Sequence, residues 1–153
     1  FMASYTLLAR MPAPTRAPVD VAAWIGRIVQ METRVPISVQ TGPQIVIDAD
    51  ADQLDQMLIN LVRNAADASL ETGGGVTVGW SVQDSFVDVS IQDEGFGLPE
   101  TANLFVPFFT TKPGGSGIGL VLSRQIAEAH GGSLSLSDGH GCEARVRLPV
   151  TFQ

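Results

Sequence analysis

The segment from Asp52 to Leu70 constrains this chain more than any other, because it asks one helix to carry two unlike faces. Leu54, Met57, Leu58, Leu61, Val62 and Ala65 recur at three- and four-residue spacing and form an apolar stripe. Gln56, Asn60, Asn64 and Asp67 share a polar face of the same helix. One face must enter a core, and the other must stay available to solvent or a ligand. Gly73-Gly74-Gly75 ends the segment.

The flanking patterns predict what that helix packs against. Asp20 is placed to cap a helix running to about Glu32, with Val21, Ile25 and Ile28 on one face. Val35, Ile37 and Val39 alternate as in a strand, and Gly42-Pro43 turns the chain into a short strand, Ile45-Val46-Ile47. Beyond the glycines a hairpin is expected, Val76 to Val82 and Phe86 to Gln92 around Gln83-Asp84-Ser85. Val87, Val89 and Ile91 alternate with Asp88, Ser90 and Gln92, so Asp93 falls on the apolar, inward face. Pro99 to Gly117 reads as irregular, and a helix from about Ile118 to His130 ends at Gly131-Gly132. Leu134 and Leu136, then Ala144, Val146 and Leu148, mark two closing strands. Mixed strands and helices predict a layered sheet covered by helices on one face. At the start, Phe1, Tyr5 and Leu8 suggest the end of a helix, and Pro12, Pro14 and Pro18 make Met11 to Pro18 a linker or hinge.

Composition narrows the class. With 153 residues, 44% of them hydrophobic and 16% charged, the chain suits one globular domain. Its apolar runs are too short to span a bilayer, and the opening Phe1-Met2-Ala3-Ser4-Tyr5 has no basic region of a signal peptide. That opening suggests a fragment of a longer protein. A single cysteine, Cys142, excludes an internal disulfide framework and fits a reducing, cytoplasmic setting. The net charge of −7 argues against nucleic acid as a partner. An acidic chain that bound a polyanion would need local devices: a cation, backbone N–H groups and a few basic residues.

Several segments carry such devices, each with a plainer reading beside it. Asn60 and Asn64 lie one turn apart; they form a solvated face, or they offer amide oxygens to Mg²⁺, which takes hard oxygen ligands together with phosphates. Asp93 on an inward face needs hydrogen bonds. It is a cap or ion-pair partner, or an acceptor for the amino group of adenine, with Gly95 and Gly97 letting backbone approach the base. Phe105, Phe108 and Phe109 form core or anchor a mobile segment, and Thr110, Thr111 and Lys112 add hydroxyls and a cation. The run Gly114-Gly115-Ser116-Gly117-Ile118-Gly119 lacks the Gly-Lys-Ser/Thr ending of a P-loop; it is a flexible hairpin or, opening a helix, a phosphate cradle. Phe109 to Gly115 is expected to act as a short lid that orders with nucleotide. His130 and His140 are the only histidines, and both read as structural; no zinc spacing or Ser-His-Asp set exists.

Taken together and in order, these segments resemble the catalytic, ATP-binding domain of two-component sensor histidine kinases, within the wider family of gyrase, Hsp90 and MutL ATPases. Asp55 to Ala68 resembles that family's N box, and Asp93-Glu94-Gly95-Phe96-Gly97-Leu98-Pro99 its first glycine box. Phe105 to Lys112 resembles the F box, and Gly115 to Leu120, continuing to Ala129-His130-Gly131-Gly132, the second glycine box. The likeness covers roughly Asp20 to Pro149 and looks nearest to nitrogen-regulation sensors. It implies an α+β fold, a two-layer α/β sandwich of the Bergerat type. Its mixed, mostly antiparallel sheet would have about five strands, with about three helices on one face. It implies ATP and Mg²⁺ as cofactors. Asn64 would be the metal ligand, Asp93 the adenine acceptor, and Gly115, Gly117 and Gly119 the phosphate contacts. Asn60, Asp67, Gly95, Gly97, Leu98, Phe105, Thr110, Thr111, Lys112, Ser116, Ile118, Leu120 and Cys142 would complete the site.

The resemblance also sets expectations beyond the site. Residues 1–18 would be the end of a dimerisation helix with its linker, and residues 19–153 the ATP-binding domain. The phosphoacceptor histidine would lie in a dimerisation domain missing from this chain, so the chain alone is expected not to autophosphorylate. Partners would be that domain and a response regulator, in a full-length homodimer, with the fragment a monomer making no membrane contact. Asn60 stands where the related ATPases carry a water-activating Glu, and an amide cannot take a proton as a carboxylate can. That favours phosphoryl transfer over a stand-alone ATPase; a non-catalytic, nucleotide-binding regulatory domain is the other alternative. Asp67 stands where many relatives have a basic phosphate contact, and Cys142 where a Thr or Ser is usual.

Overall fold

The computed structural model describes residues 12–95, 119–139 and 141–150. In chain order they form β1 (Ala17–Asp20), α1 (Val21–Val29), β2 (Ile37–Gln40), β3 (Val46–Ala49), α2 (Ala51–Leu70), β4 (Val76–Gln83), β5 (Phe86–Asp93), α3 (Gly119–Ala129), β6 (Ser133–Gly139) and β7 (Gly141–Pro149). A five-stranded sheet has the order β2-β4-β5-β7-β6. β2 runs parallel to β4, and the other three pairings are antiparallel. β1 and β3 make a separate antiparallel pair, Ala17 opposite Ala49 through Asp20 opposite Val46. The mixed sheet and three helices agree with the expected sandwich.

Alternation decides which face of the sheet is covered. Val78, Val87, Val89, Ile91, Val146 and Leu148 are buried, whereas Asp88, Ser90 and Gln92 between them are only half-buried. Against the apolar face lie the stripes of α2 and α3. Leu54, Met57, Leu58, Leu61, Val62 and Ala65 are all buried, as the spacing predicts, and so are Val121, Leu122, Ile126 and Ala127. Each large side chain so buried contributes about 1.5–3 kcal/mol. α1 adds Val21, Trp24, Ile25 and Ile28. Its exposed brace to α2 is a two-pronged pair, Arg27 with Asp55 at 2.9 and 3.0 Å. With Arg27 more than half exposed, such a pair is worth about 0–1 kcal/mol, so the apolar contact does most of the holding.

Helix ends follow side-chain chemistry. Asp20 Oδ1 accepts from Ala23 N, and Asp50 Oδ1 from Gln53 N, so each aspartate starts its helix. α1 stops at Val29, three residues before the expected Glu32. Its last turn tightens: Met31 N donates to Ile28 O and Glu32 N to Val29 O, three residues back rather than four. The stretch from residue 12 to residue 18, read as a linker, is tied to the domain. Gln53 Nε2 donates to Pro12 O, Thr15 N to Asp50 Oδ2, and the Arg16 guanidinium to Asp48 O and Ala129 O. Pro18 sits inside β1, tolerated because a two-stranded ribbon leaves each strand one unpaired edge. The helix expected over Phe1–Arg10 lies outside the described residues.

His130 joins the two core helices. Its ring is 1% exposed. Nδ1 donates to Ile126 O at 2.8 Å, and Nε2 accepts from Asp50 N at 3.1 Å. Those partners require the neutral imidazole. Burial lowers its pKa below the ordinary value; the Ile126 carbonyl opposes this, Arg16 adds to it and Asp50 opposes it. A lowered histidine pKa means that the unfolded chain takes up a proton first. Stability is therefore full above the unfolded pKa, near 6.5, and declines as pH falls below it. Urea denaturation between pH 8 and 5 should show a slope of up to about 1.4 kcal/mol per pH unit below that value. In His130→Gln the slope just below pH 6.5 should vanish; an unchanged slope would assign the effect to other groups.

Candidate functional site

α2 lays out the first part of the site. Its apolar stripe fixes its rotation, and Asn60 and Asn64 are thereby left half-buried one turn apart. α3 begins beside them: a Cβ built on Gly119 would sit 3.8 Å from Asn60 Cγ. The last glycine of the run thus meets the polar face of α2, and Leu120 behind it packs on the core. The first N–H groups of an α-helix have no partner within it, and its dipole favours negative charge there.

Asp93 forms the second part. It closes β5 and is 6% exposed, as alternation places it. Oδ1 accepts from Gly95 N at 2.9 Å and from Cys142 N at 3.0 Å. Among the described residues, no hydrogen bond reaches Oδ2. Backbone crowds close around this carboxylate. A Cβ on Gly95 would lie 2.8 Å from Ala68 Cβ, and one on Gly141 would lie 2.6 Å from Asp93 Oδ1 and overlap its backbone oxygen. Gly141 also has φ +89°, which side chains rarely adopt. Gly141 was not among the predicted site residues; the signal that could have found it is the Gly-x-Gly pattern, Gly139 and Gly141, just before Cys142.

A hydroxyl and a carboxylate hold the end of β5 in place, and these also escaped the sequence reading. The Ser69 side chain, fully buried near the end of α2, accepts from Glu94 N at 3.1 Å and donates to Gly75 O at 2.8 Å. Glu94 Oε1 accepts from Gly75 N at 2.6 Å, and Thr72 Oγ1 donates to Glu94 O at 2.6 Å. The three glycines before β4 therefore do separate things. Gly73 takes φ +75°, while Gly74 and Gly75 make room for Glu94 and Pro36.

Asp67 occupies a different setting from Asn60 and Asn64. Its Oδ1 accepts from Arg34 Nη1 at 2.8 Å, and Arg34 also bonds Glu32 at 2.8 Å. Arg34 holds the Glu32 carboxyl below the usual range through these hydrogen bonds. The sequence reading had no signal for Arg34, which reaches α2 from the loop after α1. Gly97, Leu98, Phe105, Thr110, Thr111, Lys112, Gly115, Ser116, Gly117 and Ile118 lie outside the described residues, as do His140 and the expected lid. Among the described residues, no group of three or more His, Cys, Asp or Glu could hold a metal ion. No helix among them is long and apolar enough to cross a membrane.

Comparison with known proteins agrees with this geometry. A family model described as "Histidine kinase-, DNA gyrase B-, and HSP90-like ATPase" matches residues 49–151. The chain is 37% identical over 111 residues to the signal transduction histidine-protein kinase AtoS of Escherichia coli, covering 70% of this chain and 18% of AtoS. It is 37% identical over 128 residues to the sensor protein FixL of Bradyrhizobium diazoefficiens, covering 79% and 25%. It is 39% identical over 116 residues to the sensory histidine kinase/phosphatase NtrB of Azospirillum brasilense, covering 65% and 29%. The matched part thus spans less than a third of each relative's own length. Among solved structures, the catalytic domain of histidine kinase ThkA superposes with a TM-score of 0.80 at 27% identity, over 89% of this chain and 96% of that one. A mycobacterial sensor histidine kinase, MprB, gives 0.78 at 28%, over 91% and 100%.

The packing around Asp93 makes Gly141→Ala a sharp probe. The new methyl needs a left-handed backbone and overlaps Asp93, so a loss of stability on the order of 1–3 kcal/mol is expected. Chemical denaturation measures it. A variant as stable as the parent would show that the turn can swing away from Asp93.

Proposed function

We infer what the site does from one premise: the chain belongs to the histidine kinase-, DNA gyrase B-, and HSP90-like ATPase family, as the ATP-binding catalytic part of a sensor histidine kinase. The observation that carries the detailed reading is the Asp93 carboxylate, nearly buried, with Oδ1 occupied by two backbone N–H groups and Oδ2 left over. A lone carboxylate oxygen in a tight backbone cradle selects a flat donor, such as the exocyclic amine of adenine. Gly95 and Gly141 keep the space beside it free of side chains.

The phosphate end falls to α2 and the start of α3. Asn64 offers an amide oxygen to Mg²⁺, and Gly119, with Gly115 and Gly117 before it, offers backbone N–H groups to the phosphates. Bound there, Mg²⁺ would supply positive charge against the phosphate oxygens in a protein of net charge −7. Asn60 lies close to Gly119 and hence to the same end of the nucleotide. Its amide can orient a group but cannot remove a proton from water. This supports transfer of the γ-phosphoryl group to a protein histidine rather than to water. The acceptor would belong to a dimerisation domain of the full protein, a homodimer that passes the phosphoryl group to a response regulator in the cytoplasm. Leu98, Phe105, Thr110, Thr111, Lys112, Ser116 and Ile118 would wall and close the pocket.

Titration with a fluorescent ATP analogue, with and without Mg²⁺, tests the assignment. Asp93→Asn should lose ATP affinity on the order of 1.5–3 kcal/mol, the range for a hydrogen bond to a charged group. Asn64→Ala should bind the analogue but lose the gain that Mg²⁺ brings. Normal ATP binding by Asp93→Asn would reduce Asp93 to a structural role. An undiminished Mg²⁺ effect in Asn64→Ala would sink the metal assignment.

A further inference from the structure

We propose that the cleft between the end of α1 and the middle of α2 docks a helix of a partner protein, one whose apolar face carries a carboxylate. The cleft has a volume of about 400 Å³. Ile28 and Val62, both buried, Ile59, half-buried, and Met31, 62% exposed, supply its apolar lining. Arg63 lines it too. None of these residues enters the nucleotide reading, and the proposal stands apart from it.

Charge shows what the cleft lacks. Along α2, Asp55, Ile59, Arg63 and Asp67 follow at four-residue steps and so share one edge of the helix. Asp55 is paired with Arg27 from α1, and Asp67 with Arg34 from the loop after it. Glu32, the acid that lines the cleft, is held by Arg34 at 2.8 Å. Arg63, exposed between the two paired aspartates, has no hydrogen bond or ion pair among the described residues. Each other described arginine has one. In a chain of net charge −7, every acid beside this cleft is already taken and its arginine is not. An incoming carboxylate supplies the missing partner, and the planar guanidinium can take it through two parallel hydrogen bonds.

The lining selects a helix over a small acid or a strand. Small ligands are held where most of their surface is buried, and here Met31 and Arg63 lie open to water. A helix lays only one face into a groove and keeps the rest in solvent. A strand needs free backbone partners. The N–H groups of Met31, Glu32 and Arg34 are already bonded to Ile28 O, Val29 O and the Glu32 carboxylate. Those in the middle of α2 are spent within the helix. A helix arrives with its own backbone satisfied. Met and Arg are enriched where protein surfaces meet, and a thioether adapts to the shape packed against it.

The test uses a phage-displayed library of Ala-based helical peptides, one face varied among Leu, Met, Phe, Ala, Glu and Lys, selected on the immobilised chain. We expect the enriched peptides to combine apolar residues with a Glu on the varied face. The best of them, made synthetically, should shift the Met31 signal of a chain labelled with ¹³C-methyl methionine and leave that of the buried Met57 in place. Its affinity should fall about tenfold or more in Arg63→Glu. Changing the peptide's Glu to Lys should restore binding to that variant, which also shows the variant to be folded. Arg63→Gln should weaken the Glu peptide without accepting the Lys peptide. No enrichment over the bare support overturns the proposal, as do enriched peptides with no acid on the varied face. An unmoved Met31 signal, equal affinity for the parent and Arg63→Glu, or failure of the Lys peptide to restore binding overturns it too. Hexanoate that displaces the peptide at equal concentration would overturn the helix as occupant and leave a small-acid site.

Discussion

A buried carboxylate at the end of a strand is the constraint on which this structure turns. Taking an isolated charge out of water costs several kcal/mol even after the protein relaxes. Asp93 offsets that with two backbone donors, Gly95 N and Cys142 N, each worth about 1.5–3 kcal/mol when the acceptor is charged. Gly95 N lies just past β5 and Cys142 N near the start of β7, and a Cβ on Gly95 would strike Ala68 while one on Gly141 would strike Asp93 itself. The carboxylate thus dictates the backbone on either side of it. What it leaves, among the described residues, is an Oδ2 that no hydrogen bond reaches.

That carboxylate stays in position because α2 is held at both ends. At its start, Asp50 caps the helix and passes its backbone N–H to His130 at the end of α3. Near its finish, Ser69 and Thr72 grip Glu94, the residue after Asp93. Between these points the helix is held by its apolar stripe. The ion pairs on its outer side, Arg27 with Asp55 and Arg34 with Asp67, are too exposed to matter as much. A rigid α2 keeps Asn60 and Asn64 at a constant distance from Asp93, as a site divided among several elements would require.

Much of this was legible from residue order because the periods are clean. The stripe of α2, the alternation of β5 and β7 and the inward turn of Asp93 each depend on one element and its covered face. Other features depend on contact between distant segments and leave no local mark. β1 was hidden by prolines, and its strand character comes from pairing with β3. Ser69 looks like any polar residue near a helix end until Glu94 arrives from β5. Arg34 looks like a loop cation until it meets Asp67, so the polar face of α2 divides into a part toward α3 and a part paired with the loop after α1.

The amino-acid order alone determined the two-faced helix, the alternating strands, the capping aspartates and the ordered segments that relate this chain to sensor histidine kinases. These follow from local periods and from side chains acting on their own backbone. Only tertiary structure decided which oxygen of Asp93 is occupied, why residue 141 must be glycine, and that the backbone N–H of Cys142 is one of the two donors to that carboxylate. Those facts are set by strand register and by backbone packed against backbone, where a shift of one residue turns a side chain to the other face of the sheet.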